Sequence, residues 1–214
     1  MKNIVIVDYN LGNLFNLRRA FESVGTQVAV SADPEDILAA SSIILPGVGA
    51  FGEGIKHLKE RGLIAPLKEF ASSGKPLLGI CLGMQLLMTT SEEHGTWEGL
   101  DIIKGMVKRL DPPGDGDIYK VPQVGWNSIL KQFNSRGLSW NGTVLDGVDE
   151  KAYMYFLHSY YVIASDTRDI LAETIYGRNR FSSIIKKNNI TGCQFHPERS
   201  GEAGLKILKN FAEL

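Results

Sequence analysis

The chain has 214 residues, 43% apolar and 22% charged, enough to fold as one globular unit without disulfide staples. Its formal net charge of −1 gives no reason to expect nucleic acid or an anionic membrane as the main partner. Cys81 and Cys193 lie far apart and no Cys/His group has zinc-finger spacing; no apolar run reaches the roughly 20 residues needed to cross a bilayer. The start "MKNIVIVDYN" lacks the long apolar region and small-residue cleavage site of a signal peptide. These features predict a single domain over 1–214 in a reducing, cytoplasmic compartment, with no metal or cofactor.

In chain order, "NIVIVDY", "QVAVS", "SIILPG" and "PLLGI" read as strands alternating with helical patterns, the mark of a parallel sheet covered by helices. "NLFNLRRAFESVG" carries Leu14, Leu17, Phe21 and Val24 near helical spacing and stops on Gly25. "DPEDILAA" starts a helix on an N-cap aspartate followed by proline. Residues 54–73 predict two short helices broken around Gly62 and Pro66. After about residue 100, "LDIIKGMVKRL", "SWNGTVLDGV", "AYMYFLHSYYVIA", "DILAETIYG", "RFSSIIKKNN" and "TGCQFHPE" read as closely spaced strands, and "DPPGDGDIYKVPQ" as a loop. "SGEAGLKILKNFAEL" is a closing helix with Leu205, Leu208 and Phe211 on one face. The fold class expected is α/β, a doubly wound, flavodoxin-like, mostly parallel sheet extended by antiparallel strands.

Gly79-Ile80-Cys81-Leu82-Gly83 is G-x-C-x-G, the cysteine form of a nucleophile elbow, in which a sharp strand-to-helix turn exposes the nucleophile above the sheet. Cys81 would sit at a helix N-terminus, where the macrodipole favours a thiolate; a buried cysteine serving as a small hydrophobe is the plainer reading. "GCQFHPERS" supplies His196 and Glu198 around a proline that forbids a helix interior. In an extended segment these two side chains point the same way, so the glutamate can fix the imidazole tautomer. Nucleophile, base and orienter would then follow in the order Cys, His, Glu. "LPGVGAFGEG" leaves a strand through Gly47 and Gly49, which let backbone N–H groups turn toward a neighbouring site; Gly49 and the amide of Leu82 are the candidate oxyanion donors. The same glycine-rich turn could cradle a phosphate, although no P-loop lysine follows. Cys193, in a segment that reads as an interior strand, is expected to be a buried structural thiol.

The segments "VDYNLGNL", "PGVGAFGEG", "GICLGMQLL", "VPQVGWN", "YFLHSYY" and "QFHPERSGEAGLKILKNF", which together run the length of the chain, resemble the class I (triad) glutamine amidotransferases. Within them the chain is similar to the glutaminase subunits of imidazole glycerol phosphate synthases. The resemblance implies that Cys81 attacks the amide of L-glutamine, His196 protonates the departing ammonia and Glu198 orients His196. It implies that Gln85, Glu93 and the backbone at His158, Ser159 and Tyr160 hold the glutamine head group; for His158 a core role stays open. It also implies docking on a (βα)8-barrel cyclase that receives the ammonia, through a face including Asn10, Asn13, Gln123, Trp126, Asn127 and Arg199. Two departures fall on that face: Gln123-Val124 where the family usually has His-Met, and Arg199 where it has Lys. They leave open an acceptor in sugar modification for surface polysaccharide, and a silent partner or a γ-glutamyl peptidase are the readings from other classes. An oxyanion donor on so glycine-rich a loop is expected to swing away until the partner binds.

Overall fold

The computed structural model describes residues 2–133 and 139–214. The first half alternates strands and helices: β1 (Ile4–Val7), α1 (Leu14–Ser23), β2 (Ala29–Ser31), α2 (Pro34–Ala39), β3 (Ser42–Leu45), α3 (Phe51–Glu60), α4 (Ile64–Ser72), β4 (Leu77–Ile80) and α5 (Leu82–Leu86). Then come β5 (Thr90–Ser91), β6 (Trp97–Glu98), β7 (Gly105–Arg109), β8 (Gln123–Ser128), β9 (Leu130–Lys131), β10 (Tyr153–His158), β11 (Tyr160–Ala164), β12 (Ile170–Tyr176), β13 (Asn179–Lys187), β14 (Ile190–Cys193) and α6 (Gly201–Glu213).

The central sheet has eight strands in the order β2-β1-β3-β4-β14-β13-β12-β9. The run from β2 to β14 is parallel and the remaining pairings are antiparallel. This is the expected doubly wound sheet with an antiparallel extension, and its parallel part has the flavodoxin-like order. Because side chains alternate along a strand, Ile4, Ile6, Leu78 and Ile80 pack with Leu17, Phe21, Ile207 and Phe211 of α1 and α6 on one face. Val5, Val7, Ile43, Leu45 and Leu77 pack on the other with Ile37, Leu58, Leu67 and Phe70 of α2, α3 and α4. Strands buried on both faces need continuous apolar runs, which "IVIV" and "LLGI" supply.

Several local expectations change. Residues 139–148, expected as a strand, are turns: Thr143 Oγ1 donates to the Trp140 carbonyl, and Asn210 of α6 donates to the carbonyls of Val144 and Asp146 at 2.9 and 2.7 Å. The apolar pair Val144 and Leu145 is buried without belonging to a ladder. The run 152–164 is not one strand. It breaks at Ser159 into β10, paired with β8, and β11, paired with β7, in two separate small sheets. Only Gly105–Arg109 of the run 100–110 is extended. Gly62 does separate α3 from α4, with φ +65°, but Pro66 lies in the first turn of α4, where no N–H is needed.

The parallel pairing of β14 with β4 puts Cys193 opposite Ile80, and the Cys81 N–H donates to the Cys193 carbonyl at 2.7 Å. Cys193 itself is fully buried, and burial pushes its thiol well above the usual cysteine range. Cys193→Ala should lower stability by about 1–2 kcal/mol by leaving a small void. Urea unfolding would read this as a lower midpoint at unchanged slope; an unchanged midpoint would contradict tight packing there.

Candidate active site

β4 delivers the chain to Cys81, whose backbone sits at φ +53° and ψ −109°, a region that residues with a Cβ enter only under constraint. The glycines on either side supply that constraint. A Cβ on Gly83 would collide with the Leu45 carbonyl oxygen, and one on Gly79 would lie 2.8 Å from the Met84 nitrogen. Strand, turn and α5 can therefore cross closely only with glycine at both positions. Cys81 is 6% exposed; its Sγ lies 3.7 Å from Gln194 Nε2 and 3.9 Å from the Leu157 carbonyl oxygen.

His196 follows β14. Its Nδ1–H donates to Glu198 Oε1 at 2.9 Å, and both side chains are buried. The glutamate does not reach the ring along the extended path expected from the sequence. Pro197–Arg199 form a 3-10 turn that curls the carboxylate back under the imidazole. Ser200 Oγ braces the turn by donating to the His196 carbonyl at 2.6 Å and accepting the Tyr155 N–H at 3.0 Å. His196 Nε2 is buried and makes no hydrogen bond of normal geometry among the described residues, yet Cys81 is near enough for its thiolate to stabilise the imidazolium. Burial is the largest effect and works against that charge, but Cys81 and Glu198 together outweigh it and raise the His196 pKa to about 10.

Cys81 and His196 open onto a cavity of about 230 Å³. Gly49, Leu82, Gln85, Glu93, His158, Ser159 and Tyr160 line it too, so every residue expected to form the oxyanion hole or hold substrate is on its wall. Gln85 Nε2 donates to the Tyr160 carbonyl at 2.9 Å and to Gln194 Oε1 at 3.1 Å, which fixes its amide. His158 Nδ1 donates to the Tyr160 carbonyl at 2.9 Å; burial chiefly, with the His196 charge adding, lowers its pKa to about 4. It is thus neutral, with a buried Nε2 lone pair unpaired among the described residues. Gly49 has φ +108°, and Val48 beside it is 40% exposed. Pro122 and Leu157 also line the cavity and Gln194 contacts Cys81 Sγ, and none of the three was given a role from the sequence. A glutamine inside an otherwise apolar strand end, "GCQF", is the signal that could have flagged Gln194. Among the described residues no three His, Cys, Asp or Glu side chains gather as a metal site would.

The family described as glutamine amidotransferase class-I matches residues 5–214. The chain belongs to that family. It is 46% identical over 210 residues to the imidazole glycerol phosphate synthase subunit HisH of Sulfurimonas denitrificans, covering 98% of this chain and 97% of that one. It is 43% identical to the subunit HisH 1 of Legionella pneumophila strain Paris, with all of both chains covered. Among solved structures it is similar in fold to a glutamine amidotransferase at TM-score 0.72 and 15% identity, covering 98% of this chain and 99% of that one. It also resembles PurLQS from Thermotoga maritima at TM-score 0.69 and 20% identity, covering 100% and 99%.

On this class I amidotransferase the residues expected at a docking face are not all on the surface. Gln123 is the exception: its alternation in β8 turns it inward to 2% exposure, opposite His158 across the β8–β10 pair. Its neighbours Val124 and Trp126 are exposed at 57% and 55%. Trp126 meets the Tyr155 ring edge-on at 6.0 Å, and the Arg199 guanidinium lies 4.1 Å from the same ring centroid. Asn127 Nδ2 donates to the Ile175 carbonyl at 2.9 Å. Asn13 caps α1, and Asn10, with φ 70°, accepts from the Arg61 guanidinium.

The His196 environment has a measurable consequence. A raised histidine pKa stabilises the fold fully below the ordinary value of 6.5, and that contribution is lost as pH rises through about 10. In Cys81→Ala the imidazolium loses its thiolate while the burial remains, so ring resonances followed by NMR should show His196 titrating at lower pH than in the parent. An unchanged titration would remove Cys81 as a cause of the shift.

Proposed function

We propose that the chain is a glutaminase subunit that hydrolyses L-glutamine to glutamate and hands the ammonia to a (βα)8-barrel cyclase for imidazole glycerol phosphate formation in histidine biosynthesis. The observation that carries this reading is a constrained Cys81 sharing one cavity with a His196 held by Glu198. The relatives named as imidazole glycerol phosphate synthase subunits, matched along nearly the whole chain, support the choice of acceptor.

Cys81 Sγ attacks the side-chain amide carbon of glutamine, and the oxygen that gains charge is met by N–H groups at Leu82 and the Gly49 segment. The His196 imidazolium, whose charge the thiolate and Glu198 favour, gives its proton to the departing nitrogen as the C–N bond breaks. A thioester of glutamate remains on Sγ. Neutral His196 then takes a proton from water, whose oxygen attacks the thioester carbon, and glutamate leaves with the thiolate restored. Glu93 offers a carboxylate to the substrate's α-ammonium; neutral His158 adds no opposing charge beside it. Ammonia released into water near pH 7 would be protonated and lose its lone pair, which is the chemical motive for a partner seated over the cavity mouth. Trp126, Tyr155 and Arg199 provide the aromatic and arginine anchors typical of such an interface.

Two outcomes follow. Cys81→Ala should abolish glutamate production while the complex still aminates its acceptor from added ammonium, assayed side by side; near-parental glutaminase activity in the purified variant would remove the nucleophile assignment. Trp126→Ala should weaken association with the barrel subunit by about tenfold or more, measured by calorimetry. Unchanged affinity would move the docking face elsewhere.

A further inference from the structure

The oxyanion segment between β3 and α3 is pinned at both ends. At its entry the buried Tyr9 hydroxyl donates to the Pro46 carbonyl at 2.6 Å. At its exit the N–H of Phe51, the first residue of α3, donates to Glu93 Oε2 at 2.6 Å. Helix α3 needs this second contact. The first N–H groups of a helix have no partner within it, and the N-cap of α3 is Ala50, which has no side-chain acceptor. Glu93 substitutes for the missing cap.

A second contact from the same turn holds the same place. The Trp97 indole N–H donates to the Glu93 carbonyl at 2.9 Å, and its ring lies over Gly52, where a Cβ would sit 2.7 Å from Cε2. Residues 93–97 therefore clasp the first turn of α3, and the part left free to rotate is the short stretch around Val48 and Gly49. An ionised carboxylate has about four lone-pair sites, so one oxygen can keep the Phe51 N–H while the group also faces the cavity it lines.

We propose that Glu93 is a positioning residue for the oxyanion hole as well as a contact for the substrate's α-ammonium, so that one carboxylate links glutamine binding to the geometry of the Gly49 segment. This rests on the glutaminase reading above. The ammonium is present in ground and transition states alike, so losing that contact alone raises KM. Losing the anchor misplaces donors that matter only as the oxyanion forms, so it lowers kcat.

Two substitutions separate these effects in the assembled complex. Glu93→Gln keeps a carbonyl oxygen for the Phe51 N–H but loses the charge; Glu93→Ala loses both. Both should raise KM, and kcat at saturating glutamine should be about tenfold or more lower in Glu93→Ala than in Glu93→Gln. Hydrogen exchange at the Phe51 amide of the parent protein reads the anchor directly: it should be protected, and protection should persist in Glu93→Gln. Equal kcat in the two variants, or a Phe51 amide that exchanges freely in the parent, would overturn the positioning role. A parent complex that hydrolyses no glutamine would instead overturn the glutaminase reading and this proposal with it.

Discussion

The backbone of Cys81 is the constraint around which the rest is arranged. A residue with a Cβ at φ +53° and ψ −109° is held there against its preference, and the cost is of order 1–3 kcal/mol. What holds it is close packing on three sides: the Leu45 carbonyl against Gly83, the Met84 nitrogen against Gly79, and the Cys193 carbonyl accepting the Cys81 N–H. Each contact comes from a neighbouring element of the parallel sheet or from α5. The order β3-β4-β14 is thus what makes the turn possible, and it also brings the loop after β3, Cys81 and His196 to adjacent strand ends.

Around that turn the buried polar groups have divided tasks. His196 is surrounded by groups that favour its charge, whereas His158, equally buried, is kept neutral by desolvation and by the charge of His196. Two imidazoles bordering one cavity therefore differ widely in proton affinity, as an acid–base site needs. Among the described residues the buried atoms His196 Nε2, His158 Nε2 and Gln123 Oε1 make no hydrogen bond of normal geometry, which is costly for a fold alone. Both histidines line the cavity, which is where such a cost is expected to serve chemistry.

The parallel half of the fold was legible because strands buried on both faces must be continuously apolar, and "NIVIVDY", "SIILPG" and "PLLGI" have few other uses. The second half was harder. Residues 139–148 carry the same Val-Leu signal, but their carbonyls are satisfied by Asn210, a partner more than sixty positions away that no local pattern reveals. The break at Ser159 is likewise decided by two sheets competing for one run. The elbow and the His196–Glu198 pair were readable from spacing, because glycine and proline act locally; the 3-10 turn joining the pair was not, since the Ser200 hydroxyl that braces it reaches Tyr155, a contact no local pattern reveals. Gln123 illustrates the limit of motif transfer: its position in the motif pointed to the surface, and β-strand alternation turned it inward.

The central claim is that Cys81 carries the acyl group of glutamine during turnover. Acid-quenching the complex with glutamine in the steady state and mapping the digested protein by mass spectrometry tests it most directly. The account predicts a γ-glutamyl thioester on the peptide containing Cys81 and none on the peptide containing Cys193. A glutamyl group found on Cys193, or glutamate formed in undiminished yield by a protein whose Cys81 has been replaced with alanine, would contradict it.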